Sequence, residues 1–268
     1  MHRTETMQRL RAGLGLAALV TASFLVAWLA RRLPGSAAGT AGSVALGAAV
    51  TLVVCSVVEW LVHRHVYHRG RLRVLARVRD IHHRVHHHVF FPTWRYVTSG
   101  PPRRIPLRGN PEAAVTTPWA NAAIGLVHSG FYLGLASILV VWPLWLLSRR
   151  PAFLAGSVAA TLVVCDLMVR VHDVIHRPGS HPRVERQPWF AFLDRHHFIH
   201  HVDTDANVNF LLPLSDLVAG TLRTALTAEE VRAHGTLAQA KGSAIGQGEP
   251  AREAARRVAR SRALGVEA

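Results

Sequence analysis

The sequence predicts an all-α integral membrane protein, with about four transmembrane helices in two hairpins and a cytoplasmic helical cap that carries histidine boxes. Three observations lead there. Half of the 268 residues are hydrophobic, yet the formal net charge is +15, so apolar and charged residues must be segregated along the chain. Four apolar segments reach the ~20 residues that a bilayer requires. Of the 18 histidines, 15 fall in two windows, 63–88 and 172–201. The abundance of apolar residues excludes disorder over most of the chain. Only two cysteines, Cys55 and Cys165, are present, both in apolar runs, which excludes a disulfide-built fold.

The first apolar segment runs from about Ala12 to Ala30 between Arg9, Arg11, Arg31 and Arg32. Its basic flanks and small terminal residues also fit a signal peptide. Its length, and a second apolar segment almost at once, favour a membrane helix. The second runs from about Ala37 to Val62. The third, from about Trp119 to Leu147, is long enough to tilt or to break in two at Pro143. The fourth runs from about Ala152 to Val171. Pro34-Gly35-Ser36 and Arg149-Arg150-Pro151 are the short turns that make two hairpins.

Basic residues set the orientation. Three arginines precede the first helix, eleven lie between His63 and Pro118, and eleven arginines and Lys241 follow His172. The two short turns hold four, so the sides divide 26 to 4, with Arg170 inside the fourth helix. The positive-inside rule then puts the N-terminus, the middle loop and the C-terminal part in the cytoplasm. Lys241 is the single lysine, and the arginine-, alanine- and leucine-rich composition is that of a GC-rich genome, which points to a bacterial inner membrane.

Both histidine windows begin where a membrane helix ends. His63 and His68 form an H-x4-H pattern, followed by His83, His86 and His87 as H-x2-H-H. His172 and His176 form H-x3-H, followed by His197, His200 and His201, again H-x2-H-H. Upstream, Thr51-Leu52-Val53-Val54-Cys55 recurs as Thr161-Leu162-Val163-Val164-Cys165, so the chain reads as two related halves. Helical residues three and four apart share a face, which aims each set one way. Imidazole suits zinc, copper, iron and nickel. One tetrahedral ion needs four ligands, and ten imidazoles argue for two ions. His65, His82, His88, His181 and His196 read as surrounding or surface groups, and His128 as a packed residue of the third helix.

At these residues the chain resembles the fatty acid hydroxylase superfamily, which includes sterol desaturases and carotenoid hydroxylases. The boxes match in order, over roughly residues 50 to 222. Pro92, Arg95-Tyr96-Val97 and Pro101-Pro102 are similar to a stretch that follows the second box in fatty acid hydroxylases. Asn207-Val208-Asn209-Phe210 and Asp216 to Thr221 resemble the family's ending, with Leu211 and Ser215 in place of its glycine and tryptophan. The tyrosine-aspartate pair usual before the third box is replaced by Arg170-Val171.

The resemblance implies two iron ions, held by His63, His68, His83, His86, His87, His172, His176, His197, His200 and His201, and O2-dependent hydroxylation or desaturation of a lipid C–H bond. The substrate it implies is a fatty acyl or sterol-like lipid. A carotenoid hydroxylase-type enzyme, and a non-enzymatic membrane zinc-binding or transport protein, stand as alternatives. No cytochrome b5 segment or nucleotide-binding motif is present, so electrons must come from a separate ferredoxin or cytochrome b5-like protein. Nucleic acid is not an expected partner. Acceptors should orient metal-bound imidazoles; Glu59, Asp173, Asp194, Asp203, Asp205 and Asn209 are candidates. The organisation expected is an N-terminal membrane helix (1–36), the hydroxylase-like domain (37–222), and a basic, weakly ordered tail (223–268).

Overall fold

The structure, a computed structural model, describes residues 2–69, 76, 78–79, 82, 86–88, 129–176, 181–227 and 229–230. These residues form helices joined by turns and irregular segments, with no strand among them. In chain order they form α1 (His2–Leu29), α2 (Ala37–Val62), α3 (Ser129–Ser148), α4 (Pro151–His176), α5 (Pro182–Glu185), α6 (Phe190–Val202) and α7 (Leu214–Ala219). A 3-10 turn, Ala30–Arg32, ends α1; a π turn, His63–His68, prolongs α2; and His86–His88 form a further 3-10 turn. Four helices are long and apolar enough to cross a membrane: Thr6–Arg32, Ala37–His68, Ser129–Ser148 and Pro151–His176. The start expected for the third, and most of the C-terminal tail, lie outside the described residues.

The chain divides into two compact units built from separated stretches. The first comprises Met1–Arg64, Ile124–Val169 and Asp205–Leu222; the second comprises His65–Ala123, Arg170–Thr204 and Arg223–Ala268.

In the first unit, α1 packs against α2 around Ala27, Val50, Val54, Val140, Leu144 and Phe153. The outward faces are apolar: Phe131, Ile138, Leu162 and Val163 are more than half exposed or close to it. That suits lipid rather than water as the surrounding solvent. Ser36 caps α2, its Oγ accepting the Gly39 N–H at 3.2 Å. The α3 helix does not break at Pro143. A π turn, Ser137–Val141, precedes it, with the Trp142 N–H bonded to the Ser137 carbonyl five residues back. The widened turn relieves the clash that a proline ring makes with the preceding turn. Arg149 then closes α3 in the left-handed region, at φ 50°. The Arg150 guanidinium donates to the carbonyls of Leu33 and Pro34, so the two short turns touch.

Two glycines set how closely α2 and α4 approach. A Cβ on Gly47 would collide with the Phe153 backbone, and one on Gly156 with the Val44 backbone. Small residues let membrane helices meet backbone to backbone. Ser157 uses this closeness, its Oγ donating to the Gly47 carbonyl at 3.3 Å. Gly47→Ala or Gly156→Ala is expected to cost about 1–3 kcal/mol through overpacking. Gly42, with open space around its Cβ position, should accept alanine without loss. Thermal unfolding in detergent would check this: equal melting points for Gly42→Ala and Gly156→Ala would contradict the crossing. The repeated pentapeptides lie near this crossing with matching exposure. Thr51, Val54 and Cys55 are buried with Leu52 outward, and Thr161, Val164 and Cys165 are buried with Leu162 outward.

Residues 205–222 bind back onto α2 through a dense polar network. Asp216, fully buried, accepts the Val208 N–H at 2.9 Å, the Asn209 N–H at 2.7 Å and the Thr221 hydroxyl at 2.6 Å. Asn209 donates to the Ser56 carbonyl at 2.7 Å and accepts the Asp216 N–H at 3.1 Å. Trp60 Nε1 donates to Thr221 Oγ1 at 3.1 Å. Two left-handed residues permit these reversals: Asn207 at φ 50° and Gly220, which caps α7, at φ 67°.

Candidate metal centre

Nearly all the described histidines of the two windows belong to the second unit. Four pieces of backbone present most of them. The last turns of α4 carry His172 and His176 four residues apart, hence on one face. The α6 helix carries His196, His197, His200 and His201, all buried. The 3-10 turn at His86–His88 presents His86 and His87. The π turn supplies His68. Closing i→i+5, it sets residues five apart, such as His63 and His68, on neighbouring positions, where an α-helix would put them about 140° apart.

The imidazoles converge in two sets. Ligand nitrogens of His68, His82, His87 and His200 lie within 4.8 Å of one another, as do those of His86, His176, His197 and His201. In the first set, His68 Nε2 stands 3.1 Å from His200 Nε2 and 3.3 Å from His82 Nε2, and His82 Nε2 stands 3.1 Å from His87 Nε2. In the second, His197 Nε2 stands 3.0 Å from both His176 Nε2 and His201 Nε2, and His201 Nε2 stands 3.1 Å from His86 Nε2. The His172 ring adjoins the second set, 4.6 Å from His176 and 4.7 Å from His86 between centroids.

These distances fit metal binding. Nitrogens bound at 2.0–2.1 Å to one tetrahedral ion stand about 3.3 Å apart. Hydrogen bonding alone accounts for them poorly. A neutral imidazole Nε2 is either a donor or a single-lone-pair acceptor, whereas His197 and His201 each meet two nitrogens at once. A cation within each set would satisfy every one of these Nε2 atoms. Burial, and then repulsion from neighbouring imidazoles, pushes His87, His197 and His201 well below the usual histidine range, so each is neutral at pH 7, the form that binds metal.

The H-x2-H-H boxes do not aim all three imidazoles one way. His200 joins the first set while His197 and His201 join the second; His87 joins the first while His86 joins the second. Consecutive helical residues diverge by about 100°, so a doublet can feed two sites. His82, read from the sequence as a surrounding group, belongs to the first set, with its ring stacked on Tyr67 at 5.0 Å. Its signal was the five-residue spacing to His87. His83 lies outside the described residues.

His63 belongs to the first unit, where its Nδ1 donates to the Val208 carbonyl at 2.6 Å. That fixes the tautomer and leaves Nε2 with the lone pair. The expected orienting acceptors act differently from the sequence reading. Glu59 takes the Phe210 N–H at 2.5 Å and the Asn209 side chain at 3.4 Å, because it faces the returning loop, not an imidazole. Asn209 likewise serves the loop. The pair reaches His63 only through the backbone that carries Val208. Asp173 pairs with His181 at 2.9 Å, Asp203 with Arg223 at 3.0 Å and Asp205 with Arg64 at 3.3 Å. Asp194 is buried in α6. Near the tail, Thr227 and Glu230 form a capping box, Glu230 accepting the Thr227 N–H at 2.8 Å and Thr227 Oγ1 accepting the Glu230 N–H at 3.2 Å.

No protein-family model, curated protein or solved structure matches the chain.

The depressed histidines give a pH dependence. Their folded-state pKa values lie below the unfolded value near 6.5, so the unfolded chain binds more protons below that pH. Stability of the metal-stripped protein is therefore full above about pH 6.5 and falls on acidification. Thermal unfolding of chelator-treated protein between pH 5 and 8 checks this; a melting point that rises toward pH 5 contradicts it.

Proposed function

We propose that this chain is a membrane-bound di-iron oxygenase of the fatty acid hydroxylase type, hydroxylating or desaturating a fatty acyl or sterol-like lipid. The observation that carries this reading is the pair of four-imidazole sets, linked through the doublets His86-His87 and His200-His201. Two sets sharing two doublets would hold two ions as neighbours, which suits chemistry that neither ion would perform alone. All-nitrogen ligation accepts several metals; iron is assigned on the resemblance of the four boxes. Bound iron would supply the redox chemistry with O2 that side chains cannot.

The chain's own residues bind and exclude. Of the second set, His176 on α4 and His197 and His201 on α6 are at most 3% exposed, as is His200 of the first, which keeps water from these nitrogens. The Val208 carbonyl holds the His63 tautomer. The four apolar helices are proposed to span a bacterial inner membrane as two hairpins, with the histidines toward the cytoplasm. The contact between Arg150 and the Leu33–Pro34 turn supports that pairing, because it places both arginine-poor turns at one end. Trp28, under Arg32, and Trp142 lie at the same end and suit the headgroup region. Reductant is proposed to come from a separate ferredoxin or cytochrome b5-like protein.

The experiment is expression with iron, metal analysis of the purified protein, and mass spectrometry of lipids from cells with and without it. About two irons per chain and a lipid gaining one oxygen, or losing two hydrogens, are expected, with loss of the product in His200→Ala. Zinc at two equivalents, metal uptake by proteoliposomes and an unchanged lipid profile would move the assignment to a zinc-binding or transport protein.

A further inference from the structure

The second unit carries an exposed aromatic step outside every apolar span. Trp189 and Phe192, at the start of α6, are 41% and 50% exposed. They are three residues apart and so share a face. Apart from Val78, they are the large apolar side chains exposed in this unit among the described residues. Exposed arginines flank them: Arg183 and Arg186 before, Arg195 after, with the exposed Gln187 and Pro188 between. The pattern along the surface is thus cation, aromatic, aromatic, cation.

An aromatic step between arginines matches one kind of surface. Trp and Phe partition into the boundary between headgroups and acyl chains, and arginine guanidinium groups reach from there to phosphates. A soluble acidic partner would be met by the arginines but would leave two aromatic rings without apolar cover. The segment also starts six residues after α4, a helix apolar enough to cross the membrane, so the chain keeps it near the bilayer surface. We infer that Trp189 and Phe192 insert into an anionic phospholipid interface, with Arg183, Arg186 and Arg195 on its phosphates, and anchor the histidine-bearing unit to the membrane. This rests on the membrane reading above but not on the metal or the reaction. Each arginine at an anionic surface adds roughly a fivefold preference for it.

The test uses full-length protein in lipid nanodiscs, with Cys55 and Cys165 replaced by alanine and a bimane fluorophore on Phe192→Cys. Quenching by doxyl-labelled phosphatidylcholine is compared with quenching by acrylamide. A second label on Ile138→Cys, 69% exposed on α3, reports whether the helices are in the bilayer at all. In discs containing phosphatidylglycerol, the label at 192 should be quenched by the lipid probe and protected from acrylamide. Replacing all three arginines by glutamine should reverse that preference. Acrylamide quenching at 192 equal to that of free bimane-cysteine, with Ile138→Cys in lipid, overturns the inference and leaves the membrane reading standing. Protection from both quenchers means that protein covers the patch, and overturns it too. An Ile138→Cys label open to acrylamide overturns the membrane reading itself.

Discussion

Paired histidine replacements are expected to remove one metal or both according to which set they strike, not according to which box they belong to. His86→Ala with His201→Ala damages the second set alone, and about one metal per chain should remain. His87→Ala with His200→Ala damages the first set alone, with the same result. His86→Ala with His87→Ala, both in one box, takes a ligand from each set, and both metals should be lost or weakened. Loss of even an outer partner costs a metal 10- to 100-fold in affinity, so loss of a direct ligand should cost at least ~100-fold. Metal content of the purified variants, with helicity checked by circular dichroism, measures this. Equal metal content in all three double variants would refute the division of the doublets between two sets.

The second large effect is expected at Asp216. Alanine there leaves the N–H groups of Val208 and Asn209 buried without their acceptor and releases the Thr221 hydroxyl. Unsatisfied buried donors cost about 1–3 kcal/mol each, so the loss should be about 3–5 kcal/mol. Asp216→Asn keeps one acceptor oxygen and should lose less. Leu217→Ala, one residue on and 63% exposed, should lose little. Thermal unfolding in detergent ranks the three. If Asp216→Ala melts with Leu217→Ala, the network does not hold the returning loop.

The sequence and the structure agree where one-dimensional pattern is the physics. A bilayer demands ~20 apolar residues in one run, and such runs are visible without coordinates. Four such helices are present. The concentration of histidines in two windows was legible in the same way, as was the shared face of His172 and His176, whereas each H-x2-H-H doublet divides between two sets. Finer points were not. Pro143 leaves open a tilted helix or two pieces, and only the π turn before it shows how the helix continues. Glu59 and Asn209 read as partners of imidazoles because they stand near histidines in sequence; the loop that returns beside Ser56 claims them instead.

By itself the sequence determined that this chain is helical and apolar enough to enter a membrane, and that its imidazoles are concentrated rather than scattered. Those properties follow from composition and spacing, which no fold alters. Only the tertiary structure decided how the imidazoles are shared. His82 rather than a remote group completes the first set, and each doublet serves both sets. The reason is geometric: spacing fixes the direction of a side chain about its own helix axis, but a metal site needs directions from several helices to meet at one point.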